Sequence, residues 1–161
     1  MAERPAINTS PLVYLARARR LELLRLVRER IVVPEAVARE IRAFDRPDAA
    51  VQAINAVSWL DIVSTPMPSA TVMAWDLGEG ESAVLAWGET HTGTELIIDD
   101  LAARRCAATL GIPVRGTLGL VLLAKARGAI SEARPVLEEL LRAGMYLSQR
   151  VIADALRRIG E

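Results

Sequence analysis

The chain has one cysteine and one histidine, and each scarcity removes a class of chemistry. A lone cysteine, Cys106, excludes an intrachain disulfide and any zinc site built from several thiolates. A lone histidine, His91, excludes a histidine-rich metal site. Aromatic residues make up only 4% of the chain, so the core has to be built from Leu, Val, Ile and Ala. Lysine is nearly absent: Lys125 stands alone, and every other basic residue is Arg. Neither sign of charge dominates, because 20 basic residues face 20 acidic ones. Net charge therefore argues neither for nor against a nucleic-acid partner. No apolar run reaches the length of a membrane span. The N-terminal stretch after Arg4 is short and interrupted by turn signals, which does not fit a signal peptide. A cytoplasmic, reducing location is the resulting expectation.

What is present is apolar periodicity. With 161 residues, 52% of them hydrophobic, the chain is a comfortable single domain with its own core. Short apolar segments at 6–8, 31–33, 60–63, 96–98 and 112–115 predict strands. Helical patterns fall between and after them, at about 11–17, 21–27, 34–44, 49–57, 78–90, 100–110, 116–127, 134–143 and 148–159. Residues 64–75, with Pro66 and Pro68, form the longest irregular stretch. Ser10 is the expected N-cap of the first helix, with Pro11 as its first residue. Strands alternating with helices predict an α/β domain, with a mainly parallel sheet of about five strands covered on both faces.

Leu96-Ile-Ile-Asp-Asp100 is the most informative stretch. A buried strand runs directly into two carboxylates, and parallel sheets bind ligands outside the carboxyl ends of their strands. One aspartate can be explained as the cap of the helix that follows, but not readily both. Glu40 shares a helix face with Val37, Ile41 and Phe44, which places it at the edge of the buried stripe. There it either reaches solvent and an arginine or meets a cation. Asp76 and Glu79 have capping-box spacing, which makes Glu79 structural. Glu81 falls on the face of Val84 and Leu85 and points inward from a first helical turn that favours negative charge. Asn8 ends the first strand as the aspartates end the fourth, and Thr117 follows the fifth at the same edge. An N-cap role for the next helix suits Thr117 better than a site role.

Asn8, Glu40, Glu81, Asp99 and Asp100 together make an oxygen-only set. Such donors select hard divalent cations, Mg²⁺ or Mn²⁺. The typical work of those ions is phosphoryl transfer. No Walker-type glycine loop and no Gly-x-Ser-x-Gly elbow competes with this set. A phosphoacceptor receiver domain would need an acidic pair after the first strand and a lysine after the fifth, and the sequence has neither. His91 reads as a helix-terminus residue and Cys106 as a core residue. Arg17, Arg19 and Arg20 suit RNA phosphates or a solvated helix face.

These pieces carry a resemblance. Asn8-Thr-Ser-Pro-Leu, Val33-Pro-Glu-Ala-Val-Ala-Arg-Glu40, Gly78-Glu-Gly-Glu81-Ser-Ala-Val-Leu-Ala, Leu96-Ile-Ile-Asp-Asp-Leu-Ala-Ala-Arg104, and Gly116-Thr-Leu-Gly with Ala124-Lys-Ala-Arg-Gly128 occur in that order. The ordered set resembles the PIN-domain family of metal-dependent ribonucleases, and within it the short prokaryotic proteins related to VapC-type toxins. The resemblance implies a three-layer α/β/α sandwich over residues 1–130, with residues 131–161 as a helical extension packed on the same domain. It implies catalytic and metal-binding roles for Glu40, Glu81, Asp99 and Asp100, with Asn8 as a further ligand. Thr9, Ser10 and Thr117 would support the cluster or touch substrate. It also implies RNA as substrate, a small antitoxin protein as partner, and a homodimer.

One departure matters. The first-strand position is ordinarily Asp in active members, and here it is Asn8. An amide oxygen still ligates a divalent cation, but one negative charge is gone. Two functions are therefore expected to compete. One is a Mg²⁺- or Mn²⁺-dependent ribonuclease. The other is a weakened PIN-like module that binds RNA or a protein without cleavage.

Overall fold

Ile31-Val32-Val33 is a run of three β-branched residues, and all of it is buried. It forms strand β1, Ile31–Pro34, in the computed structural model, which describes residues 3–161. Strand β2, Leu60–Val63, runs parallel beside it, with Ile31 opposite Leu60 and Pro34 opposite Val63. Strands β3, Leu96–Ile97, and β4, Val114–Arg115, make a second parallel pair.

Residues 5–8 lie between the two pairs. Ala6 bridges Val32 and Ile7 bridges Ile97, both parallel. The Ile7 N–H donates to the Val32 carbonyl at 3.0 Å, and the Asn8 N–H donates to the Ile97 carbonyl at 3.0 Å. The mixed α/β class is as expected, with short parallel strands. The described residues hold two two-stranded sheets. The central segment pairs through two isolated bridges because the chain turns into a helix immediately afterwards, at Thr9.

The helices are α1 Thr9–Arg17, α2 Glu35–Arg42, α3 Ala49–Ala56, α4 Ala70–Ala74, α5 Glu79–Thr90, α6 Leu101–Thr109, α7 Thr117–Ala126, α8 Ala133–Arg142 and α9 Gln149–Arg158. Four local expectations are corrected. Asn8, not Ser10, holds the N-cap position of α1, so Pro11 is its third residue. Leu21–Leu26 winds as a 3₁₀ helix rather than an α-helix. Helix α4 forms inside the stretch expected to be irregular, because Ser69 caps it by accepting from the Val72 N–H at 3.2 Å. The capping box of Asp76 and Glu79 does not form. Asp76 adopts a left-handed φ of 50°, Gly78 is the N-cap of α5, and no side chain caps it.

One core joins all of this. Ile7, Leu12, Leu24, Ile31, Ile41, Leu85, Ile97, Leu120 and Leu137 are fully buried in it, and Met145 and Leu156 from the last thirty residues belong to the same cluster. Among the described residues, no helix is long and apolar enough to cross a membrane.

Asp48 ties α3 to α1. It caps α3 by accepting from the Ala50 N–H at 2.9 Å and receives Arg17 Nε at 2.9 Å. Burial pushes its carboxyl up, but Arg17 and the Ala50 N–H pull harder and leave it below the ordinary carboxylate value. Its stabilisation is therefore complete above the unfolded pKa of about 4 and is lost as pH falls through the depressed folded value. Asp48→Ala is expected to cost about 2 kcal/mol in urea unfolding at pH 7. The gap between variant and wild type should narrow at pH 3. A gap independent of pH would show that Asp48 acts only through packing.

Candidate functional site

Asn8 is the hinge between sheet and helix. Its backbone N–H is spent on Ile97, and its side chain is carried inward, 1% exposed. The amide Nδ2 donates to Glu81 Oε1 at 3.2 Å. The amide Oδ1 is buried without a hydrogen-bond partner. Buried polar oxygens almost always have a partner, whether protein, water or ion. This orphaned oxygen, next to a carboxylate, is the clearest sign of a site in the molecule.

Glu40 and Glu81 reach this region from different helices, as their helical faces predicted. Glu40, on α2, is half-buried. It receives the Thr9 hydroxyl on Oε2 at 2.5 Å and the Gly80 N–H on Oε1 at 3.0 Å. It thus clasps the N-terminus of α1 to that of α5. The clasp depends on glycine: a Cβ on Gly80 would stand 2.7 Å from Glu40 Oε1. Glu81 sits in the first turn of α5, also half-buried, where the helix N-terminus favours its charge. Glu79 stays outside, 81% exposed in its side chain, at 3.4 Å from Arg39.

The two aspartates separate cleanly. Asp100 is the N-cap of α6, accepting from the Ala103 N–H at 2.9 Å, and is exposed. Asp99 turns the other way and takes the Thr117 N–H at 2.7 Å and the Thr117 hydroxyl at 2.6 Å. Thr117 is fully buried and is not the cap of α7; Gly116 holds that position without a capping side chain, and Asp99 supplies the acceptor instead.

Glu81, Asp99 and Asp100 share the wall of one cavity of about 820 Å³, together with Ser10. Asn8, Thr9, Glu40 and Thr117 are not on that wall; they stand behind it, holding the wall residues or the helix ends. Among the described residues, no group of three or more His, Cys, Asp or Glu side chains is close enough to hold a metal ion. The arrangement still suits a small hard cation, since Mg²⁺ is ordinarily held by one or two carboxylates and keeps several waters. Asn8 Oδ1 offers one more neutral oxygen with nothing else to bind.

Sequence reasoning missed Arg104, Tyr14 and Tyr146, which line the same cavity. Arg104 Nη1 donates to the Ile98 carbonyl at 3.3 Å. A Cβ on Gly116 would come within 2.5 Å of Arg104 Nη1 and 3.0 Å of Asp99 Oδ1, so glycine there keeps the space between cation and carboxylate. The signal for Arg104 was its spacing, four residues after Asp100 on the same helix. Tyr146 gave none, because only the tertiary fold brings the α8–α9 loop to this wall. Arg115 also reaches the wall; its Nε is 2.9 Å from Glu95 Oε1 as an ion pair, without hydrogen-bond alignment. His91 stacks on Trp87, with ring centroids 3.5 Å apart, and Cys106 is fully buried, where burial pushes its thiol up.

A family model described as a PIN domain matches residues 5–161. The chain belongs to the PIN-domain family. The match runs from the central segment through α9, so the helices after residue 130 lie within it. No curated protein matches the chain. In this PIN domain the carboxyl ends of residues 5–8 and of β3 carry Asn8 and the aspartates, while α5 delivers Glu81.

Proposed function

We propose that this PIN domain is a Mg²⁺- or Mn²⁺-dependent ribonuclease that cuts single-stranded RNA. The observation that carries this reading is the buried, partnerless Asn8 Oδ1 beside Glu81, behind a cavity wall that also bears Asp99 and Asp100. One or two of the carboxylates Glu81, Asp99 and Asp100 would hold the ion together with water, with Asn8 as a neutral ligand and Glu40 supporting the set through the helix ends. The bound ion would supply an activated water and charge stabilisation of the leaving oxygen. Glu40, through Thr9 and the Gly80 N–H, keeps the first turns of α1 and α5 in place so that Asn8 and Glu81 stay in register. Ser10 stands where it can touch substrate.

The finer reading of the fold is that β2, β1, residues 5–8, β3 and β4 act as one parallel layer between two helical layers. Residues 131–161 then form an extension on the PIN-like unit 1–130. The biological role that fits is the toxin of a cytoplasmic toxin–antitoxin pair, neutralised by a small antitoxin protein. A homodimer is supported by large apolar side chains left exposed around the cavity: Leu101, Tyr146 and Val151.

Asn8 favours a second reading, an RNA-binding module without cleavage, because the amide contributes no charge to the ion. Incubation of the purified protein with labelled single-stranded RNA and Mn²⁺ separates the two. Cleavage by the wild type, reduced about 100-fold or more by Glu81→Gln, supports the nuclease. RNA that is bound but left intact under both Mg²⁺ and Mn²⁺ supports the second reading and overturns the first.

A further inference from the structure

The arginines at the end of α1 and in the turn after it divide into two groups once the fold is known. Arg17 is held by Asp48 at 2.7 Å, and Arg20 by both oxygens of Glu139, at 2.8 and 3.1 Å. Arg19, between them, makes no ion pair among the described residues. Its backbone is left-handed, with φ 58°, a conformation that ordinarily favours glycine at the end of a helix. Arg46, from the turn before α3, and Arg142, from the last turn of α8, are likewise without an ion-pair partner among the described residues. These three come together around one concavity of about 560 Å³. Glu139, the one carboxylate on its wall among the described residues, is paired with Arg20 and also feels the charge of Arg142.

This basic concavity adjoins the acidic one. Ala143 and Gly144 line the first, and Met145, Tyr146 and Leu147 line the second, so the α8–α9 loop is their common wall. Tyr14, which lines the acidic cavity, lies close behind Gly144: a Cβ on Gly144 would be 3.7 Å from Tyr14 Cε1 and 3.9 Å from Arg17 Nη1. Three guanidinium groups without a direct ion pair among the described residues, next to a site for phosphodiester chemistry, match a polyanion that continues beyond that site. Planar guanidinium forks pair well with phosphate. Tyr146, 86% exposed on the shared loop, offers a ring on which an unpaired base can stack.

We propose that Arg19, Arg46 and Arg142 form a phosphate track that holds the backbone of single-stranded RNA outside the acidic cavity. This inference rests on the nuclease reading of that cavity. The track gives affinity without base preference, because phosphate contacts position a nucleic acid and carry no sequence information.

The test is the salt dependence of binding, measured by fluorescence anisotropy on a single-stranded RNA in EDTA, where cleavage cannot contribute. Removing one arginine–phosphate pairing should reduce the slope of log affinity against log salt by about 0.7, so the triple variant Arg19→Gln/Arg46→Gln/Arg142→Gln should show a slope smaller by about 2. The corresponding triple Lys variant should keep most of the slope, which a merely structural effect would not predict. A Gln triple that folds normally by circular dichroism and keeps the wild-type slope overturns the track and points to an acidic protein surface instead. Wild-type protein that does not bind RNA overturns it as well. Cleavage with Mn²⁺ is scored separately. Cleavage with an unchanged slope removes the track and keeps the nuclease, whereas a diminished slope without wild-type cleavage keeps the track and removes the nuclease.

Discussion

Asn8→Asp is expected to make the protein less stable without metal and responsive to Mn²⁺. In the wild type the Asn8 amide donates to Glu81 at 3.2 Å, so the two groups attract. An aspartate there turns donor into acceptor and places two carboxylates in contact, with Asn8 buried at 1% exposure. At an effective dielectric of about 20, like charges at this range repel by about 4 kcal/mol, part of which a shared proton relieves. A net loss of about 3 kcal/mol, or about 10 °C in Tm, is the expected result at pH 8 in EDTA.

The sign with pH follows from the shared proton. The pair's pKa is raised, so the penalty is small at low pH and grows as pH rises through that raised value. A divalent cation between the carboxylates removes the repulsion. Mn²⁺ at 100 times its Kd would return about 2.7 kcal/mol. Thermal melts of the variant with EDTA and with Mn²⁺, at pH 5 and pH 8, check this. A variant as stable as wild type at both pH values, and indifferent to Mn²⁺, would mean that Asn8 and Glu81 do not face each other. If the variant also gains RNA cleavage that the wild type lacks, the natural amide marks a domain that binds without cutting.

Asp99 anchors Thr117, and on the nuclease reading it also holds the ion; three variants separate the two roles. Asp99→Ala strips the acceptor from the Thr117 N–H and the Thr117 hydroxyl, both in a fully buried residue. Two stranded donors at the start of α7 should cost about 3 kcal/mol. Thr117→Val removes only the hydroxyl bond and should cost about 1 kcal/mol, leaving the carboxylate charged and in place. Asp99→Asn keeps one oxygen for the Thr117 N–H but removes the charge that a cation would need. For the nuclease, Asp99→Asn should stay folded and lose cleavage about 100-fold, while Thr117→Val should cleave within a few-fold of wild type. Undiminished cleavage by Asp99→Asn would reduce Asp99 to an anchor for α7 and leave Asp100 as the carboxylate facing the ion. Urea unfolding and RNA cleavage on the same preparations provide both readouts.

The asymmetry between the aspartates shows how far local pattern could reach. Both follow one strand, and either has the chemistry to cap α6. Capping takes Asp100, because its extended backbone directs a carboxylate oxygen back to the Ala103 N–H. Which group lies across from Asp99 depends on β4 running parallel to β3 and delivering Gly116 and Thr117 to the same edge. That pairing spans 18 positions, and helix or strand periodicity contains no information about it. The arginines are a parallel case. Arg17, Arg19 and Arg20 look equivalent along the chain, yet Asp48 and Glu139 neutralise two of them from distant elements.

Apolar periodicity was enough for the mixed α/β class, for the order of strands and helices apart from α4, and for the inward faces of Glu40 and Glu81, since these follow from the 2.0 and 3.6 residue repeats of the backbone itself. The ordered motifs were enough for the family, which the match over residues 5–161 bears out. Tertiary structure alone decided the rest. It split the sheet into two pairs joined at Ala6 and Ile7, stationed Glu40 as a clasp behind the cavity, and left Asn8 Oδ1 buried and unpartnered. It also joined Arg46 and Arg142 to Arg19. Each of these depends on which neighbour reaches a group first, and long-range packing settles that choice where local sequence cannot.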